Sequence, residues 1–177
     1  MATIASDIFK AYDIRGIVGK SLTNEAAYLI GKAIAARGAK LGVSRIAVGR
    51  DGRLSGPELG ENLMRGITDS GLDVLNVGMV ATPMLYFAAI KECGGSGVMI
   101  TGSHNPPDYN GFKMMLAGDT LAGEAVQELL SAIQNDQFVA GNGKVSEQDF
   151  AAAYQAAIVD HIKLARPMNI VIDAGNG

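Results

Sequence analysis

The chain alternates short apolar runs with segments that have the periodicity of amphipathic helices. The apolar runs predict four strands, at residues 46–49, 72–77, 98–100 and 112–116. The segments around them predict four helices, at residues 24–41, 57–70, 83–93 and 121–135. This alternation predicts an α/β fold with three layers (α/β/α), in which helices cover both faces of a mixed, mostly parallel sheet.

Local signals refine this prediction. The fourth strand follows the third after a loop too short for a helical crossover, so we expect this pair to be antiparallel. Ser55 and Glu58 have the spacing of a capping box, while Thr23 and Thr82 each precede a predicted helix as a candidate N-cap.

The C-terminal part of the chain predicts a further unit. Residues 146–166 carry apolar side chains spaced four apart, from Phe150 to Ile162, which predicts an amphipathic helix that ends before Pro167. Residues 168–177 then predict a strand that runs into a glycine turn. We therefore expect a first domain at residues 1–145 and the first helix and strand of a second, similar domain, truncated, at residues 146–177. A lone helix and strand cannot bury their apolar faces, so the pattern predicts a fragment or a covering partner.

Composition narrows the possible partners. The formal net charge of the 177 residues is -3, which argues against nucleic acid because phosphate backbones need a cationic surface. No segment has the roughly 20 apolar residues that cross a bilayer, and no signal peptide is evident, so no membrane partner is expected. The one cysteine, Cys93, excludes an internal disulfide, favours a buried thiol and fits a cytoplasmic location.

A polar loop begins where the third predicted strand ends. Residues 101–113 read Thr-Gly-Ser-His-Asn-Pro-Pro-Asp-Tyr-Asn-Gly-Phe-Lys, so the Ser103 hydroxyl is carried at a strand end. With His104, Asn105 and Lys113 close in sequence, this hydroxyl indicates a site for covalent phosphate, because phosphoryl transfer mainly needs positioning and charge neutralisation. The alternative interpretation is a surface turn, in which Asn, Gly and Pro are common.

Individual residues of the loop leave alternatives open. Gly102 is expected to let backbone N–H groups approach an anion, and a phosphate on Ser103 would attract a divalent cation. His104 is compatible with a structural role as well as with acid–base chemistry. No Gly-x-Ser-x-Gly elbow, Walker loop or Cys/His metal cluster is present in the sequence, which argues against a serine hydrolase and a P-loop enzyme.

Two other segments are candidates for ligand contacts. Arg15 could bind phosphate oxygens and Tyr12 could line a sugar site, although an N-terminal strand with a solvent-facing arginine is an equal alternative. The segment after the first predicted strand contains Arg50, Asp51 and Arg53. For Arg50 and Asp51 we favour an ion-paired loop that holds neighbouring turns, whereas the role of Arg53 stays open.

These motifs together resemble those of the α-D-phosphohexomutases. The resemblance rests on residues 9–16, on residues 49–59 and above all on the Thr-Gly-Ser-His-Asn-Pro run at 101–106. The extension through residue 113 looks most like the bacterial phosphomannomutase/phosphoglucomutase branch. The resemblance covers the whole chain, and residues 170–177 are similar to the first strand of the family's second domain.

The resemblance implies an activity and a role for each residue. Such enzymes interconvert 6-phospho and 1-phospho sugars through a phosphoserine and a bisphosphorylated intermediate, glucose 1,6-bisphosphate or mannose 1,6-bisphosphate. Carried onto this chain, Ser103 is the phosphocarrier, and Mg²⁺ binds partly through its phosphoryl group. The other implied roles are loop shaping for His104 and Asn105, charge neutralisation or proton transfer for Lys113 and Arg15, and substrate binding for Tyr12, Asn105 and Arg53.

The resemblance also implies what this chain lacks. Such mutases have four domains, and the acidic metal loop, the sugar-recognition loop and the phosphate-binding loop belong to the later three. We therefore expect the chain alone to bind Mg²⁺ and hexose phosphate poorly and to show little turnover. A phosphoglucosamine mutase portion and a non-catalytic module that binds sugar phosphate or a partner are the alternatives.

Overall fold

The computed structural model describes residues 4–175 of the chain. A short 3-10 helix at Ser6–Ile8 precedes the first strand. The strands are β1 (Ile14–Ile17), β2 (Arg45–Arg50), β3 (Asp73–Met79), β4 (Gly97–Ile100), β5 (Tyr109–Leu116), β6 (Asp119–Thr120) and β7 (Val145–Glu147). The helices are α1 (Asn24–Lys40), α2 (Gly56–Thr68), α3 (Thr82–Glu92), α4 (Glu124–Gln134) and α5 (Ala151–His161). The four predicted strands and the first four predicted helices are thus confirmed, with shifts at their ends.

The strands form one mixed sheet in the order β1-β5-β4-β2-β3-β7, with β6 paired to β5. The pairs β2–β3, β2–β4 and β3–β7 are parallel, whereas β5 is antiparallel to β1, β4 and β6. Among the described strands, β5 alone therefore runs against the common direction, which confirms the predicted antiparallel pairing and the mostly parallel sheet.

Alternate residues of the central strands β2 to β5 face two separate cores, as the pleat of a strand requires. In β4, Val98 and Ile100 lie in the core under α1, α2 and α4, while Met99 lies in the core under α3. In β5, Phe112 belongs to the first core and Met115 to the second. These two cores confirm the predicted three layers.

Of the three residues predicted to cap a helix, only Thr23 does so. The Thr23 side chain accepts a hydrogen bond from the Ala26 N–H at 3.1 Å, as expected of an N-cap. Ser55 makes no capping hydrogen bond, and its hydroxyl instead accepts from the Asn110 side chain at 2.9 Å. Thr82 is the first residue of α3 and not its cap. The capping box was therefore a wrong prediction, because a tertiary hydrogen bond takes up the serine hydroxyl.

The C-terminal unit differs most from prediction. Residues 145–147 form the edge strand β7, and the predicted helix at 146–166 is limited to Ala151–His161. Phe150 is buried and its ring contacts that of Phe87 at 6.3 Å between centroids, but Ile158 and Ile162 are exposed. Only the start of the apolar stripe is therefore packed.

The predicted strand at 168–177 is not formed over residues 168–175, and its last two residues lie outside the described part. The apolar residues of this segment, including Val171 and Ile172, are exposed. Since none of the described strands pairs with this segment, its backbone groups have no ladder to join, which explains the missing strand.

Within residues 4–175, no helix combines the length and the apolar character that crossing a membrane requires.

Candidate functional site

The sheet topology brings three loops to one edge. Because β2 and β4 are parallel neighbours, the segment after Arg50 and the segment after Ile100 leave the sheet side by side. Strand β5 starts at the same edge, since its Tyr109 pairs with Ile17 of β1. The loop 101–108 therefore lies between the β2–α2 loop and the end of β1.

The guanidinium group of Arg53 binds the backbone of the loop. Its Nη1 donates to the carbonyls of Pro106 at 2.6 Å and Tyr109 at 2.8 Å, and its Nη2 donates to those of Asn105 at 2.6 Å and Ser103 at 3.1 Å. A planar guanidinium is suited to such a fork of donors. The terminal donors of Arg53 thus fix four loop carbonyls.

Asp51 completes this arrangement. Its carboxylate accepts hydrogen bonds from the N–H of Arg53 at 3.0 Å and from the N–H of Gly102 at 3.2 Å. The same carboxylate lies 3.5 Å from Nε of Arg53, and Arg50 donates to the Asp51 carbonyl at 3.2 Å. Asp51 thus ties the β2–α2 loop to the loop at Gly102, as predicted, but its ion-pair partner is Arg53. Within the described part of the chain, the side chain of Arg50 bonds only to the carbonyl of the next residue.

The packing of the loop explains why residue 102 is a glycine. Its N–H is already taken by Asp51, so it does not point at an anion. A Cβ at this position would collide with the guanidinium of Arg53, so only glycine leaves room for that group. Close packing against Arg53 therefore explains the glycine, while the approach of other backbone N–H groups of the loop to an anion stays a prediction.

Ser103 sits in a constrained conformation at the tip of the loop. Its φ is 52°, which is uncommon for a residue with a side chain, and its N–H donates to Oγ1 of Thr101 at 2.9 Å. The side chain is exposed. A strained backbone that presents an exposed hydroxyl is typical of functional sites.

A cleft of about 640 Å³ lies beside the loop, over the outer part of the sheet. Because Ile14 and Phe112 face the core under α1, their neighbours on β1 and β5 point to the opposite face. The buried residues of α3, together with Phe150, cover that face only over the strands from β5 to β3. The cleft is lined by Tyr12, Arg15, Asn105 and Lys113, together with eight other residues.

The structure thus brings together four of the predicted site residues and separates three. Tyr12, with 76% of its surface exposed, stands at the cleft with Arg15 and Lys113. Ser103 and Arg53 line a second hollow of about 810 Å³ on the other side of the loop. As residues 4–175 define them, Asn105 lines both hollows and the exposed His104 lines neither.

Asp13 lines the cleft as well, although its sequence context did not mark it as a site residue. Asp13 is 7% exposed, and its Oδ2 accepts a hydrogen bond from Nη2 of Arg15 at 2.6 Å. Nζ of Lys113 lies 3.6 Å from the same oxygen. The two-residue spacing of Asp13 and Arg15 places both on one face of an extended segment, and this was the signal available in the sequence.

A metal site is not complete in the described residues. Residues 4–175 contain no group of three or more His, Cys, Asp or Glu side chains that could hold a metal ion. Loop carbonyls that could serve as oxygen ligands, such as those of Asn105 and Pro106, accept hydrogen bonds from Arg53. These residues therefore do not fit a divalent cation by themselves.

Comparisons with known proteins agree with one another. Residues 6–140 match the family model described as phosphoglucomutase/phosphomannomutase, alpha/beta/alpha domain I. The chain is 74% identical over its whole length to a phosphoglucomutase of Neisseria meningitidis serogroup B, of which it spans 39%. Over 99% of its length it is 53% identical to a phosphomannomutase/phosphoglucomutase of Pseudomonas aeruginosa, of which it spans 38%.

A solved structure shows the same fold. A phosphoglucomutase/phosphomannomutase family protein from Burkholderia thailandensis superposes with a TM-score of 0.93 at 46% identity. The match covers 99% of this chain and 40% of that protein.

Proposed function

Since the chain belongs to the phosphoglucomutase/phosphomannomutase family, we propose that it carries the phosphoserine of a hexose phosphate mutase. The reaction we propose is the reversible conversion of mannose or glucose 6-phosphate to the 1-phosphate through a bisphosphorylated sugar. The observation that carries the proposal is the exposed Ser103 on a strained loop that Arg53 and Asp51 hold.

The proposed chemistry is two successive phosphoryl transfers. In the first, the O–P bond at Ser103 breaks and a new O–P bond forms to the free hydroxyl of a hexose monophosphate. The proton of that hydroxyl is transferred to Ser103 Oγ, and our candidate for the relay is Lys113. In the second, the other phosphate of the bisphosphate returns to Ser103 with the opposite proton movement.

The cleft supplies charge for this transfer. Arg15 and Lys113 line one cavity with Tyr12, so a phosphorylated sugar there would meet two cations and an aromatic ring. Asn105 lines both this cleft and the hollow that contains Ser103, and it is our candidate for a substrate contact between them. We place His104 in the loop as a shaping residue, with proton transfer as its second candidate role.

The contacts of Arg53 favour a positioning role over substrate binding. A guanidinium has five N–H groups, and four of them are directed at loop carbonyls while Nε faces Asp51. We therefore propose that Arg53 orients the loop that carries Ser103, which alters the role that the resemblance implied.

We propose that the described residues supply only part of a Mg²⁺ site. Mg²⁺ would bind through the phosphoryl oxygens on Ser103, where it would supply charge neutralisation. Since residues 4–175 offer no complete ligand set, we propose that the remaining ligands come from outside them. We likewise propose that residues 1–145 are one domain, that residues 146–177 begin a second, and that further domains complete a cytoplasmic enzyme.

The proposal can be tested in a chimaera. This chain would replace the matching segment of the Neisseria meningitidis phosphoglucomutase, and glucose 1-phosphate turnover would be followed in a coupled assay with Mg²⁺. Mass spectrometry should show a species about 80 Da heavier, mapped to Ser103, and excess glucose 6-phosphate should lower its fraction whenever the bisphosphate leaves before the second transfer. Ser103→Ala should lower kcat by about 10³-fold or more.

The control is Ser131→Ala, an exposed position on α4 that lies outside the cleft. It should keep the rate of the unsubstituted chimaera. Full turnover in the Ser103→Ala chimaera, or a folded unsubstituted chimaera without phosphorylation, would contradict the proposed function. The second outcome, with sugar phosphate still bound, would favour a binding module.

A further inference from the structure

We propose that Asp13 is a positioning residue that fixes Lys113 and Arg15 over the cleft. This inference rests on the proposed function, because those two cations matter there as the groups that meet the transferred phosphate. Its evidence is separate, since it comes from the ion pairs, the burial and the anchoring of Asp13.

The strand register brings the three side chains together. Ile14 pairs with Phe112 and Arg15 with Gly111 in antiparallel β1 and β5. Extending this register by one residue places Asp13 opposite Lys113, on the face that Arg15 shares. The cluster is therefore a consequence of sheet pairing and not of flexible surface side chains that happen to meet.

The geometry distinguishes Asp13 from an ordinary surface acid. One oxygen, Oδ2, lies 2.6 Å from Nη2 of Arg15 and 3.6 Å from Nζ of Lys113, so it bridges the two cations. The Asp13 side chain is 10% exposed, while those of Arg15 and Lys113 are 24% and 34% exposed. A nearly buried carboxylate needs such partners, whereas the partly exposed cations keep a side that can face a ligand.

The backbone at Asp13 is anchored from three directions. The Asp13 carbonyl accepts a hydrogen bond from the N–H of Lys10 at 2.9 Å. Phe9 and Ile14 form an isolated antiparallel bridge around it. The start of α4 holds the same turn, because the Gly123 N–H donates to the Ala11 carbonyl at 2.6 Å. The carboxylate is thus held in place by its own backbone, so it can fix the two longer side chains that it bonds.

Charge explains why Asp13 positions cations and does not bind substrate. A carboxylate repels a phosphate, so it would weaken binding if it met the ligand directly. Paired with the two cations, it limits their motion and lowers the entropy that they lose when a phosphorylated sugar binds. Loss of the Asp13 carboxylate should therefore slow phosphoryl transfer, even though Arg15 and Lys113 remain in the cleft.

The first experiment needs no activity. Lysine side-chain ¹⁵N relaxation in the 177-residue chain would give the order parameter at Nζ of Lys113. In Asp13→Asn, which keeps the shape of the side chain, this order parameter should fall clearly, with no change in Asp119→Asn, where an exposed carboxylate on β6 is removed. Equal order in the Asp13→Asn and unsubstituted chains would overturn the proposal.

The second experiment is a double-mutant cycle in the chimaera. Asp13→Asn should lower kcat/KM by about 10- to 100-fold, the cost typical of misplaced catalytic groups. In a Lys113→Gln background, the same substitution should cost clearly less than in the unsubstituted chimaera, because Arg15 alone would be left for Asp13 to position. Losses that multiply independently would indicate a general structural role and overturn the proposal. An inactive unsubstituted chimaera would contradict the proposed function, while the relaxation experiment would still decide about Asp13.

Discussion

At the scale of single residues, Arg53 decides the shape of the loop that carries Ser103. A lysine in its place would keep the positive charge but could not direct four N–H groups at four carbonyls. Arg53→Lys should therefore lower the free energy of unfolding by about 1–3 kcal/mol. It should also speed amide hydrogen exchange in residues 101–109.

Urea denaturation and hydrogen-exchange mass spectrometry would measure both effects. The matched control is Arg65→Lys, because Arg65 lies on the exposed side of α2, where it donates to Asn62 at 3.0 Å and lies over the Tyr28 ring, a contact that a lysine ammonium can also make. This control should change stability by less than about 0.5 kcal/mol. Unchanged exchange in the loop of the Arg53→Lys variant would contradict the clamp.

Cys93 is a residue whose chemistry is suppressed by its surroundings. It is buried, and that burial raises the pKa of its thiol from 9.0 to about 11. At pH 8 the folded chain should therefore hold about 100-fold less thiolate than the unfolded chain. Alkylation by iodoacetamide should be slower by at least that factor, because the thiolate is the reactive form.

The raised pKa of Cys93 also makes the stability of the fold depend on pH. Since the folded pKa is higher, the protonated thiol stabilises the fold below pH 9, and this contribution is lost as the pH rises from 9 to about 11. Mass spectrometry of alkylated chain, native and in urea, would measure the rates. In a Cys93→Ser chain with Asp119→Cys, the exposed thiol should react at the unfolded rate. Rapid alkylation of native Cys93 would refute this account.

At the scale of elements, α1 and α2 cross with their backbones in close contact. A Cβ at Gly31 would collide with the Leu63 carbonyl, and a Cβ at Gly66 would collide with the Tyr28 carbonyl. Backbone atoms cannot move aside as a flexible side chain can. Gly66→Ala should therefore lower the free energy of unfolding by about 1–3 kcal/mol, as measured by urea denaturation.

The control substitution lies in the same helix. A Cβ at Gly60 would meet only the end of the Ile100 side chain, at 3.1 Å. Because alanine is favoured over glycine inside a helix by about 0.5–1 kcal/mol, Gly60→Ala should be neutral or slightly stabilising. If the two variants had equal stability, close helix crossing would not explain Gly66.

The elements also show what the sequence could predict. Strands β2 to β4 and their helices were evident because apolar runs between amphipathic segments reflect burial on both faces of a sheet. Strand β7 was not, because Val145, Ser146 and Glu147 are all exposed and carry no apolar pattern. Conversely, the apolar segment at residues 168–172 predicted a strand, but a strand also requires a neighbour, and that requirement is not visible in local sequence.

The same limit applies to the candidate site. Loop composition indicated Ser103, and residue type indicated Arg15 and Lys113, because both are local properties. The bridging role of Asp13 depends on the pairing of β1 with β5, and the inward direction of Arg53 depends on the parallel pairing of β2 with β4. Contacts between segments that are distant in sequence could not be obtained without the topology.

At the scale of the whole molecule, the two ends of the chain differ in how much they bury. Residues up to β7 contribute to two continuous cores, whereas α5 has no buried residue and is attached through Phe150 and through Tyr154, whose ring lies 5.5 Å from that of Phe87. Residues 162–175 are all exposed. A surface of this kind is suited to packing against further protein, in agreement with the proposed domains beyond the first.

Metal binding is the property in which the chain and a complete enzyme should differ most. The phosphoryl group on Ser103 would carry about -1.5 to -2 charges, but the described residues add no cluster of acidic side chains to it. Mg²⁺ binds through several oxygen ligands in octahedral geometry, so a single phosphoserine leaves most positions to water. Calorimetry of the unphosphorylated chain should therefore show no saturable Mg²⁺ binding below about 1 mM.

Phosphoserine installed at position 103 or, as a matched control, at the exposed position 131 tests the same point. Because neither site offers further ligands, we expect the two phosphorylated chains to bind Mg²⁺ with affinities within about threefold of each other. The phosphorylated chimaera should bind at least about tenfold more tightly, since the rest of that enzyme would complete the ligand set. Micromolar binding by the isolated chain would show that residues 4–175 hold a metal site that their side-chain arrangement does not reveal.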